Sequence, residues 1–112
     1  MAFDEALAQR VREQLAGMDF TEQRMFGGLA FLVGGHMAVA VSGSSTGGGL
    51  MVRVAKDDTD RLLDEPFTGP VVMRGRPMAG WLRISADGVG TASELAPWVR
   101  RAAEHARSLP RK

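Results

Sequence analysis

Apolar residues recur with a helical period at the two ends of the chain and with a strand period between them. Leu7, Val11 and Leu15 are spaced by four with Ala8 beside them, while Arg10, Arg12 and Glu13 fall on the other side. Such spacing gathers one apolar stripe on a helix. Asp4 stands where an N-cap is needed, and Gly17 can end the helix in a left-handed conformation at little steric cost. The pattern predicts a helix over Glu5–Gly17. Leu95, Val99, Ala102, Ala106 and Leu109 make a second stripe with Trp98 adjoining it. They predict a helix over Ser93–Ser108, with Ser93 as N-cap, Pro97 in the first turn where a missing N–H matters little, and Pro110 just past the end.

Between these ends the apolar positions alternate. Thr21–Phe26 reads as a strand, and Leu29, Phe31 and Val33 share one face of the next. Met37, Val39 and Val41 are expected on one face of a third strand, and Leu50, Val52 and Val54 on one face of a fourth. Gly34-Gly35 marks a hairpin, because glycine accepts positive φ readily. Gly43–Gly49 is expected to be a flexible loop and the least ordered part of the chain. A short helix is expected to start at Asp57 or Asp58, include Leu62 and Leu63, and stop at Pro66. Val71–Arg74 and Trp81–Ser85 then pair as a second hairpin across the loop GRPMAG, with a turn at Asp87-Gly88.

The order is helix, four strands, short helix, hairpin, long helix. It predicts an α+β fold: a mainly antiparallel sheet of five to six strands built from hairpins, packed by N- and C-terminal helices and a short middle helix, in one domain over 1–112. The other strand faces carry Ala30, Leu32, Ala38, Ala40, Met51 and Arg53, of which only Arg53 is charged. A face this apolar is poorly placed against water. The C-terminal helix is the expected cover. A homodimer through part of this face or the neighbouring strand edge is a further expectation, and a bound ligand is the third.

Composition narrows the function classes. At 112 residues with 45% apolar and 24% charged, the chain has the make-up of a folded globule, which argues against disorder. It has no cysteine, so disulfides, thiolate metal sites and cysteine nucleophiles are excluded. The N-terminus is charged and helical in pattern, unlike a signal peptide. The long uncharged run Met25–Val52 is broken by glycines and cannot make a spanning helix. A cytoplasmic location with no membrane partner is expected. The net charge of +1 is uneven: residues 1–65 carry six basic against ten acidic groups, and residues 66–112 carry eight against three.

No catalytic constellation is legible. Gly27-Gly28 could cradle an anion with its N–H groups, but no Lys-Ser/Thr follows as in a P-loop and no dinucleotide fingerprint opens a helix. A tight turn or bulge is the simpler role for the pair. His36 and His105 are too few and too far apart for zinc, and no nucleophile elbow accompanies them. The run Asp57, Asp58, Asp60, Asp64 and Glu65 lacks the glycine of a calcium loop. No cofactor and no metal are therefore expected, and the chain reads as non-enzymatic. A pocket near Gly27-Gly28 and Trp81, serving a small molecule or a reaction, is the alternative.

Arg74, Arg76 and Arg83, with Arg100, Arg101, Arg107, Arg111 and Lys112, could meet phosphate oxygens. The pI of about 8.4 lies below the value above nine that marks a nucleic-acid domain, and no aromatic stacking platform is present. Direct nucleic-acid binding is the weakest reading. Arg53, Arg74, Arg76, Met78, Trp81, Arg100 and Arg101 are the candidate contacts for a protein partner. Met18, Met25, Met37, Met51 and Met73 are expected to fill the core, and Met78 to be exposed.

The blocks RMFGGLAF…GGHM, LMVRV, GRPMAGW and LAPWVRRAAEHARSLPRK resemble, in order and over nearly the whole chain, the N-terminal domain of the TfoX/Sxy family. The resemblance implies a regulatory protein: the family's namesakes govern natural competence as transcriptional co-activators beside a cyclic-AMP receptor protein, and many members are short stand-alone proteins. The sequence stops at Lys112, so the second, helical domain of the full regulators is expected to be missing, and the loop at Gly43–Gly49 is longer and richer in glycine than the family pattern.

Overall fold

The computed structural model describes residues 3–25, 27–43 and 48–110, with only the backbone of Met73. The expected loop Gly43–Gly49 thus falls largely outside the described residues, as do Phe26 and the terminal Arg111 and Lys112. Helix α1 (Glu5–Leu15) leads into four strands, β1 (Phe20–Met25), β2 (Gly28–Val33), β3 (His36–Val41) and β4 (Leu50–Arg53). A 3-10 turn (Lys56–Asp58) and the short α2 (Thr59–Leu62) follow, then β5 (Thr68–Met73), β6 (Arg76–Ile84), a second 3-10 turn (Ala86–Val89) and α3 (Ala92–Ser108). The fold is α+β, as the pattern predicts.

The six strands form one antiparallel sheet in the order β1-β2-β3-β4-β6-β5. One cross-strand row reads Glu22, Phe31, Val39, Val52, Leu82, Pro70; its neighbour reads Arg24, Leu29, Val41, Leu50, Ile84, Thr68. Both rows are apolar at the centre and polar or proline-bearing at the ends. Leu7, Val11 and Leu15 of α1, and Leu95, Val99 and Ala102 of α3, complete the core above them. Helix α3 packs on β3 and β4, and α1 packs on α3.

The caps are specific. The Leu7 N–H donates to Asp4 Oδ1 at 3.1 Å, and Gly17 sits at φ +91. The cap of α3 is Thr91 rather than Ser93: Thr91 Oγ1 accepts from the Glu94 N–H at 3.2 Å while Glu94 Oε1 accepts from the Thr91 N–H at 3.1 Å. This capping box satisfies two end donors reciprocally, which a Ser93 cap could not do. The earlier start places Pro97 in the helix interior, past the first turn. Its ring lies on an exposed part of the helix, where the lost bond is open to water.

Two further expectations change. GRPMAG is not a loop: the β5–β6 turn is Arg74-Gly75 (φ +53 and +76), and strand resumes at Arg76. Consecutive positive φ values match the twist of a tight hairpin, as they do at Gly34-Gly35 (φ +63 and +84). Met37 does not share a face with Val39 and Val41. The register steps from Phe31↔Val39 to Leu32↔Met37, so Ala38 is an extra residue and Met37 turns to the other side of the sheet.

Candidate functional site

None of the described helices lies on that other side, contrary to the expectation that α3 covers it. Both long helices lie over the Phe31 face. The central row of the uncovered side reads Gln23, Ala30, Ala40, Met51, Arg83, Gly69 across all six strands. Its middle is small, and the sheet curls around it. Met25 on edge strand β1 and Pro70 and Val72 on edge strand β5 line the same hollow, of about 290 Å³. Met37, Met51 and Arg83 join them. Three of the methionines expected in the core therefore line this groove. Met18 does pack against the core, and the Met73 side chain lies outside the described residues.

Gly28 makes the groove's shape possible. A Cβ there would overlap the Val41 carbonyl oxygen, so only glycine lets β2 pass this close to β3. Gly27 has φ +75 in the exposed β1–β2 turn. The pair is a turn and a close approach, as its simpler reading holds. The pocket expected near Gly27-Gly28 and Trp81 is brought together only in part: Gly28 lines the groove, and Trp81 is not among its described lining residues.

The candidate partner contacts do not converge. Arg74, Arg76 and Met78 stand at or next to the β5–β6 tip, where residues 74–79 are all exposed. Arg53 and Trp81 are cross-strand partners, with the guanidinium 5.7 Å from the indole centroid. Arg101 lies over the Trp98 ring at 5.0 Å, which ties it to the helix layer, and Arg100 is exposed on the same helix. Arg74 and Arg76 are thus exposed at a tight turn, while Arg53 and Arg101 rest on aromatic faces.

Titratable groups with shifted affinities lie on the helix side. Arg12 Nε donates to Glu22 Oε2 at 2.7 Å and Arg12 Nη2 to Glu22 Oε1 at 2.9 Å. This bidentate hydrogen bond lowers the Glu22 pKa below its ordinary value, against a smaller opposing effect of burial, and raises that of Arg12. Burial lowers the His105 pKa, with the Arg53 charge acting in the same direction. His36 Nε2 contacts the Pro110 carbonyl oxygen at 2.5 Å, which makes Nε2 the donor and ties Pro110 to the start of β3. Among the described residues no group of three or more His, Asp or Glu side chains could hold a metal ion. None of the described helices is long and apolar enough to cross a membrane.

Sequence reasoning placed Arg83 and Met51 on strands without joining them to Met25, Met37 and Val72. The signal that could have done so is the set of small residues Gly28, Ala30 and Ala40, which leaves room on one side of two adjacent strands. Compared with known families, residues 13–106 match the family described as the TfoX N-terminal domain. No curated protein matches the chain.

Proposed function

The chain belongs to the TfoX N-terminal domain family, and on that premise we propose that it is a non-enzymatic interaction module, a regulatory accessory that docks a protein partner through the tip of the β5–β6 hairpin. The carrying observation is Arg74. It holds an arginine at φ +53, where Asn or Gly fits more easily, and it opens six consecutive exposed residues. A two-residue turn fixes the backbone beneath Arg74 and next to Arg76, so the main chain there has little freedom to lose on docking. Met78, 37% exposed, supplies an apolar contact beside them. In this reading the partner belongs to the transcription machinery, which the resemblance to competence regulators supports, and the place is the cytoplasm, which the charged, helical N-terminus supports. Arg53, Trp81, Arg100 and Arg101 belong to other surfaces and are secondary contacts in this reading.

The test is capture of partners by the intact chain and by the Arg74→Ala/Arg76→Ala variant, with thermal unfolding measured on both. The reading expects specific partners to be lost while the unfolding transition stays in place. Equal capture by the two proteins rejects the hairpin tip as the docking surface.

A further inference from the structure

We propose that the concave groove on the helix-free side of the sheet is a binding site for a small amphipathic carboxylate, with its hydrocarbon body on the methionine-lined floor and its anionic end at Arg83. This site is separate from the hairpin tip and does not depend on the docking role proposed for it.

The shape selects the class of occupant. The hollow of about 290 Å³ sits at the lower end of ligand pockets, roughly 300–1,000 Å³. An α-helix, about 10 Å across with its side chains, does not fit in it. A second copy of the chain is a poor match as well. A two-fold contact presents the same surface from both sides, and two concave faces would enclose space rather than fill it. A small molecule meets neither obstacle.

The lining selects the chemistry. Met25, Met37 and Met51 carry flexible, polarizable side chains that adapt to an apolar body. Ala40 and Gly28 hold the floor low, and Val72, 56% exposed, stands at the rim on the far edge strand. Arg83 is the single charged residue among the described lining residues, and no described carboxylate lines the groove. A guanidinium has five N–H donors, so it can pair with a carboxylate as well as with a protein group. A described lining that is otherwise uncharged, with the Arg83 guanidinium on its border offering several N–H donors, matches a molecule that is apolar along its length and anionic at one end.

The experiment follows the methionine methyl signals by NMR while decanoate, or decanol as its neutral counterpart, is added to the intact chain. The proposal expects the Met25, Met37 and Met51 methyls to shift together and saturate with a Kd at or below about 1 mM, while Met18 and Met78 stay still. Arg83→Gln, at an exposed position, should weaken decanoate about tenfold and leave decanol unchanged. Ala40→Leu, which raises the floor, should abolish both while the unfolding transition persists. Absence of saturation overturns the proposal, as does equal binding of decanoate by the wild type and Arg83→Gln. Methyl shifts that follow protein concentration alone, with a dimer in sedimentation, also overturn it and assign the groove to a second copy.

Discussion

The two sides of this sheet are built from the same strands with opposite results. On the helix side, Phe31, Val39, Val52 and Leu82 stand in one cross-strand row, and every one is fully buried. On the open side, one residue away along the same strands, the row is Ala30, Ala40, Met51 and Arg83. Branched and aromatic side chains meet two helices and fill the space between. Small and unbranched ones meet none of the described helices, and the curled sheet leaves a hollow over them. The alternation of a strand therefore sets more than inside against outside. It also sets where the molecule is solid and where it has room.

The sharpest way to break this comparison is a matched pair of truncations. Phe31→Ala should cost about 4 kcal/mol of stability, as large aromatic deletions in a core do. Met51→Ala, at a half-buried position on the other side, should cost about 1 kcal/mol. Denaturant titration measures both, and equal losses would mean that the open side is as tightly packed as the core. Gly28→Ala drives a methyl into the Val41 carbonyl. It should destabilise by about 2 kcal/mol, against the small gain that Gly→Ala gives at permissive sites; a gain in the same titration would show that β2 and β3 can move apart.

A smaller effect isolates the helix layer. Thr91→Ala removes the α3 cap and should cost about 1 kcal/mol, while the methionine methyl spectrum of the groove stays unchanged. The smallest effects come from pH. The His105 pKa is lowered, so the folded form takes up this proton less readily than the unfolded chain, and stability falls as pH drops below about 6.5. Glu22 is held below its ordinary value by Arg12, so its contribution is complete above about pH 4.5 and fades as pH falls through the lowered value. Both groups are partly exposed, and each step should stay under about 1 kcal/mol. His105→Gln should remove the first decline in a pH series of unfolding curves and leave the second.

Element order was legible because the two periods, helical and alternating, are clean wherever a polar residue marks the phase. Asp4, Gly17 and Gly34-Gly35 read correctly for that reason. The bulge at Ala38 was hidden because HMAVAV is apolar on both sides and carries no phase marker. The α3 cap was displaced because Thr91 and Ser93 are both capping residues, and only the reach of Glu94 decides between them. Arg74 concealed the hairpin turn by occupying a position where glycine or asparagine is the usual signal. The exposed hairpin arginines and Met78 were read from local pattern. The groove was not, because it joins Met25 and Val72 from opposite edges of the sheet, a neighbourhood created by curvature alone.

The left-handed backbone at Arg74 carries a consequence for selection. Glycine would relieve it and raise the melting temperature, yet would remove one of the two arginine charges at the tip. A library screened only for heat resistance should accept Arg74→Gly readily, while one screened for retained partner capture should discard it. Opposite outcomes from those two screens would make this single position a gauge of how far durability and recognition compete in the chain.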